Sequence, residues 1–454
     1  MESWRWLLGV ALLAAMTGCG QRGVVSSQPQ AADWDDRAIY RSGLVAGAQG
    51  ALDELPEASV YHLDVQITDD LKSLAGRQEV RYTHSSARSE SLDTVCFQLF
   101  PNMMGGRTTI SAATVDGQRV EPSYLAGESA ARVTLPQALA PGASAVIALD
   151  FEVTLPQDAG SNYGLFGYID GILALDGFYP AIPVYDDAGW RAGPIPPNAD
   201  YTFQEASFYR VRVTAPAALT LAASGVEIAR ERQGRRQTVT YAAGPARAFY
   251  LAGSKDYIVV SDQAGDVKVN SYAIKGREEG AQAALVTAIK ALEAFEARLG
   301  EYPYTEFDVA STPMQGAWGI EYPGVTGINY ALYDLDETFS GAPAPVMMES
   351  VVAHELGHQW FYNVVGNDQI NEPWLDEALV QYLTGLYFYD AYGAQGMAQY
   401  RATWFSRWDR VGRQPIPVGL PAGEYEGKEY GAIVYGRGPL FMEALSEQMG
   451  QDAF

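Results

Sequence analysis

Across residues 60–156 apolar and polar residues alternate in short runs, as in Tyr61-His62-Leu63-Asp64-Val65-Gln66-Ile67 and Val146-Ile147-Ala148-Leu149-Asp150-Phe151-Glu152-Val153. A period of two puts every second side chain on one face of a strand. Ala75-Gly76, Asp116-Gly117 and Pro141-Gly142 supply turn chemistry between such runs, as antiparallel pairing requires. The alternation resumes over residues 208–214, 238–241 and 257–260. Beyond Gly280 the period becomes helical: Leu285, Ile289, Leu292, Phe295 and Leu299 share one face, Glu293 and Glu296 lie on the solvated side, and Gly300 ends the helix. The pattern predicts an antiparallel β domain over residues 51–265 followed by an α/β domain over 266–454.

The first residues follow a different logic. Arg5 precedes an apolar stretch over residues 7–16, and small residues lead into Cys19, as in an export signal. Some ten apolar residues are too few to span a bilayer. The run Leu12-Leu13-Ala14-Ala15-Met16-Thr17-Gly18-Cys19 resembles a bacterial lipoprotein signal. It implies a signal peptide over residues 1–19, a lipid anchor at Cys19 and an extracytoplasmic location on a bacterial membrane. An ordinary signal peptide with an incidental cysteine is the alternative. Residues 20–50 read as tether and leader, since 21–32 are polar and small with no apolar period. Only Cys96 then remains, so no intrachain disulfide is expected.

Length and composition narrow the class. With 454 residues, 48% of them hydrophobic, the chain exceeds what one core usually organises. Lys and Arg total 31 against 55 Asp and Glu, a net charge of −24. That balance argues against nucleic acid, whose phosphates demand clustered cations, and favours the approach of metal ions and peptide ammonium groups.

The chemistry concentrates in His354-Glu355-Leu356-Gly357-His358, which follows a largely apolar run over residues 346–353. Two histidines four apart on a helix can point at one metal ion, and Glu355, one step round, can reach a water there without ligating the metal. Eighteen residues after His358 comes Glu377, on a second helical pattern that follows Pro373 and the Gly366-Asn367-Asp368 turn. Glu377 is the natural third zinc ligand, and Asp376 a partner behind it.

These residues resemble the aminopeptidase N type of gluzincin metallopeptidases, whose zinc site is H-E-x-x-H, eighteen residues, then Glu. Trp318-Gly319-Ile320-Glu321-Tyr322 stands where that family carries G-x-M-E-N, with Glu321 33 positions before His354, and Val434-Tyr435-Gly436-Arg437-Gly438 is similar to its V-Y-x-K-G segment. Leu99-Phe100-Pro101-Asn102, Leu135-Pro136 and Phe178-Tyr179-Pro180 look like landmarks of its amino-terminal domain. The resemblance implies a multidomain chain with an antiparallel β saddle followed by a thermolysin-like α/β catalytic domain. It implies zinc on His354, His358 and Glu377, Glu355 as general base, Tyr435 on the oxyanion, and Glu321 with Gly319 holding a peptide by its free amino end. The family draws a further acidic or Gln amine contact from the β domain; Asp176 in Leu175-Asp176-Gly177-Phe178 is a candidate, and an Asp serving the turn explains it equally well. An endopeptidase and a catalytically silent peptide-binding lipoprotein are the alternative readings. The family also carries an additional helical domain, and this sequence ends just after a helical pattern, at Gly450-Gln451-Asp452-Ala453-Phe454, as a truncated form would.

Overall fold

Strands β1 (Val60–Ile67), β2 (Ser73–Thr83), β3 (Arg107–Val115), β4 (Gln118–Val120), β5 (Ser144–Thr154), β6 (Ser207–Pro216), β7 (Val226–Gln233) and β8 (Arg236–Ala246) realise the predicted alternation. They form one sheet in the spatial order β7-β8-β6-β1-β2-β5-β3-β4. In this computed structural model, which describes residues 34–454 apart from 161, 199–202 and 451–452, the sheet is antiparallel except where β1 runs parallel to β6 with Leu63 opposite Val211. That pair joins strands distant in sequence, which only a long crossover allows. Leu63, Val65 and Ile67 of β1 and Ile147, Leu149, Phe151 and Val153 of β5 turn inward as the period of two requires. They share a core with Val95, Phe97, Val133 and Leu135 of a three-stranded sheet laid against them. Each such side chain gains about 1.5–3 kcal/mol on burial, set against the chain entropy lost in ordering it.

One expected turn is not a turn. Ala75-Gly76 lies inside β2, where Gly76 pairs with Phe151 and a Cβ on it would sit 2.4 Å from the Phe151 ring. The glycine makes room for a cross-strand aromatic, while Asp116-Gly117 and Pro141-Gly142 do separate strands. Cys96 is buried and free.

A second sheet has the order β9 (Tyr257–Ala264), β10 (Val267–Ile274), β11 (Glu306–Thr312), β13 (Val325–Asn329), β12 (Gly319–Tyr322). Its three central strands are parallel and both edge strands antiparallel. Residue 265 falls in the turn between β9 and β10, so this sheet begins at Tyr257. Helix α1 (Glu278–Leu299) crosses from β10 to β11, burying Leu285, Leu292 and Phe295 as predicted, while Leu299 in its last turn is 38% exposed. Helices α2 (Ala344–Gly357), α3 (Glu377–Asp409) and α4 (Gly438–Met449) complete a helical carboxy-terminal part.

A four-stranded sheet of Thr220–Ala223, Leu251–Ser254, Ile172–Leu175 and Phe166–Ile169 supports the edge strand β12. Ile172, Ala222 and Tyr250 share a core with Ile320, Tyr322 and Val325, and the Tyr250 ring stacks on Tyr322 at 3.9 Å. Residues 36–50 of the leader also join the fold: Tyr40, Leu44 and Val45 are buried, and Leu44 pairs with Tyr304. Cys19, the signal peptide and residues 20–33 of the tether lie outside the described residues.

Candidate active site

Helix α2 opens after Pro343 and is buried on most sides, with Met348, Val352, Ala353 and Leu356 at 0–1% exposure. Packing around the carboxy-terminal part of the helix therefore fixes the directions of His354 and Glu355, which are 7% and 5% exposed. The helix ends at Gly357, where a Cβ would meet Val380 of α3 at 2.9 Å, so the glycine lets the two helices approach. The chain then turns back. Asp376 caps α3 by accepting from the backbone N–H of Glu377 at 2.9 Å, which sets Glu377 in the first turn, facing α2.

Three ligand atoms meet there. His354 Nε2 lies 3.1 Å from Glu377 Oε2 and 3.3 Å from His358 Nε2, and His358 Nε2 lies 3.5 Å from the same carboxylate oxygen. Donors about 2.0–2.1 Å from a tetrahedral zinc stand roughly 3.3 Å apart, so the spacing fits that ion. The donor set of two histidines and one glutamate also suits it. His358 Nδ1 is 3.1 Å from the Phe361 carbonyl; as donor it leaves the Nε2 lone pair for a metal.

The remaining predicted residues surround this point. Glu355 is buried, and burial followed by the charge of Glu321 pushes its carboxyl well above the usual range. Gly319 on β12 lies against it: a Cβ there would be 2.3 Å from Glu355 Oε1, so only glycine lets this strand approach. Burial also raises the Glu321 carboxyl, opposed by His358 and helped by Glu377. On Glu377 the hydrogen bonds and charges of both imidazoles outweigh burial and hold the carboxyl well below its ordinary value. Tyr435 sits in a π-helical turn, Ile433–Arg437, and its hydroxyl donates to Glu377 Oε1 at 2.5 Å. Such turns break the regular helical ladder and re-aim side chains, which explains how a helical residue reaches across to α3. Asp176 is buried near Tyr322 and Glu321; burial, moderated by Tyr322, pushes its carboxyl up to about 7.

Two glutamines escaped the sequence analysis. Gln369 Nε2 donates to Glu321 Oε1 at 3.1 Å and to Asp376 Oδ2 at 2.8 Å. Gln381 Nε2 lies 3.3 Å from His354 Nδ1, while its Oε1 accepts from the Tyr400 hydroxyl and from Arg407. Gln381 stands four residues after Glu377 and so shares its helix face, a signal the spacing did offer. Gln369 lies in an aperiodic connection and offers none.

Residues 283–454 match the model of the peptidase family M1 domain. The chain is 26% identical to aminopeptidase M1-A of Oryza sativa subsp. japonica over 245 residues, 52% of this chain and 28% of that protein. It is 32% identical to endoplasmic reticulum aminopeptidase 1 of Homo sapiens over 118 residues, 26% of this chain and 12% of that one. These matches span less than a third of either relative. The fold is similar to that of the M1 zinc metallopeptidase from Deinococcus radiodurans, with a TM-score of 0.64, 22% identity, and 87% of this chain and 84% of that one covered. A form of that enzyme bound to a Tyr-Ser-Ala substrate gives a TM-score of 0.65 at 21% identity over the same shares. The sheet-rich first part, the helical second part and the clustered His354, His358 and Glu377 agree with these likenesses, and residues 283–454 belong to peptidase family M1, the aminopeptidase N family.

Proposed function

We propose that the chain is a zinc-dependent aminopeptidase, built as an amino-terminal β saddle and a thermolysin-like catalytic domain, that hydrolyses the first peptide bond of its substrates. The observation that carries this reading is the convergence of His354, His358 and Glu377 at 3.1–3.5 Å, with Glu355 and Glu321 enclosed beside them. Bound on these three side chains, zinc would supply Lewis-acid polarisation of the scissile carbonyl and acidify water beside it.

Glu355 takes the proton of the attacking water on its carboxylate and passes it to the leaving amine nitrogen. The Tyr435 hydroxyl, poised beside Glu377, donates to the carbonyl oxygen as negative charge develops there. Gly319 allows the β12 backbone to lie along the substrate next to Glu355. Glu321 binds the free ammonium, so the scissile bond is counted from the amino end. Asp176, close enough to Glu321 for that charge to raise its carboxyl, supplies a second carboxyl on the same side. The peptide bound to the Deinococcus enzyme supports a peptide as the substrate.

The test is Glu355→Gln. It should retain about one zinc per chain while turnover on peptides falls by at least a hundredfold, because an amide cannot accept the proton. Near-normal turnover in that variant, or activity indifferent to a chelator, removes the reading.

A further inference from the structure

Glu321 lies in a crowd of negative groups. Glu355, Glu377, Asp376 and Asp176 all lie near enough to act on it or be acted on by it, and each of these carboxylates is at most 5% exposed. Although His358 attracts it, a carboxylate in such company on the edge strand of a sheet needs a donor to fix its place.

Gln369 is that donor. Its two amide protons are divided between Glu321 Oε1 at 3.1 Å and Asp376 Oδ2 at 2.8 Å, and Asp376 spends its other oxygen on the backbone N–H of Glu377. One neutral side chain thus ties β12 to the first turn of α3 without adding charge. The other end of the amide makes no such contact: Gln369 Oε1 is buried with no hydrogen-bond partner among the described residues. A buried orphan acceptor costs free energy, so packing of the amide as a whole does not explain a glutamine here, whereas its paired donors do.

We infer that Gln369 is a positioning residue for recognition of the substrate amine, holding the Glu321 carboxylate at a fixed place relative to Glu377 through Asp376. Among the described residues Gln369 has no hydrogen bond to His354, His358 or Glu377. Its contribution is to the selectivity for a free amino end, and the inference rests on the aminopeptidase reading above.

The experiment uses the zinc-loaded chain and a peptide offered with a free and with an acetylated amino end. Gln369→Met keeps the length of the side chain and removes both donors. It should bind zinc as the unaltered chain does, yet lose roughly ten- to a hundredfold in kcat/KM on the free peptide, the worth of a hydrogen bond to a charged group. Preference for the free over the acetylated end should shrink by a similar factor, which a general loss of structure would not produce. Gln369→Asn keeps the amide on a shorter arm and should fall between the two, and it carries the test if the methionine variant does not fold. A preference unchanged within about twofold in the folded, zinc-loaded variants overturns the inference while leaving the aminopeptidase reading intact. If acetylation has no effect on the unaltered chain, the reading itself fails and the inference with it.

Discussion

The hydroxyl of Tyr435 donates to Glu377 Oε1 at 2.5 Å, while Glu377 Oε2 faces both histidines. One carboxylate therefore joins the candidate metal site to the hydroxyl proposed for the oxyanion. Tyr435→Phe removes the donor and leaves the two histidines untouched. The barrier should rise by about 2.7–4 kcal/mol, so turnover should fall a hundredfold to a thousandfold, with zinc content unchanged. Steady-state kinetics with metal analysis checks this; a loss confined to KM would take Tyr435 out of the transition state.

Much of this site was legible because its signals are local. The pair His354 and His358 declares itself by a spacing of four on an apolar helix, and Glu377 by the fixed distance to the next helix. Tyr435 was credible only in register with the other motifs, since nothing local announces a π-helical turn. Gln369 could not be found that way. Its partner Glu321 is 48 positions upstream, and it lies on a connection without period. Gly76 was misread because a glycine opposite Phe151 and a glycine in a turn look alike until the cross-strand partner is known.

Away from the site, Asp308 on β11 is 3% exposed and accepts from Asn270 Nδ2 at 2.7 Å, the same amide nitrogen that donates to Glu306. Burial first, and then the charge of Glu306, push its carboxyl from 3.8 up to about 8. Between those values the folded chain holds a proton that the unfolded chain has lost, so the group makes stability fall as pH rises through that window and adds no slope above it. Asp308→Asn should flatten this part of the profile. Urea unfolding at several pH values, at equal metal loading, measures it; identical slopes for parent and variant between about pH 5 and 8 would contradict the assignment.

Among the described residues no helix is long and apolar enough to cross a membrane. We propose that the chain is held outside the cytoplasm by lipid on Cys19, on the strength of the sequence around it. One acyl chain anchors marginally and two hold stably, so a lipoprotein depends on that residue for membrane retention. Cys19→Ser should move the protein to the soluble fraction on fractionation. A membrane-bound share equal to that of the parent would sink the proposal.

The most direct measurement of the central claim compares hydrolysis of one peptide with a free and with an acetylated amino end by the zinc-loaded chain, before and after chelation. Losing one partner of a buried charge pair costs about 3–5 kcal/mol, so acetylation should slow cleavage by more than roughly a hundredfold. Chelation should abolish the remaining activity, and added zinc should restore it. Cleavage of the acetylated peptide as fast as the free one would make the chain an endopeptidase, and cleavage that survives chelation would contradict the zinc mechanism altogether.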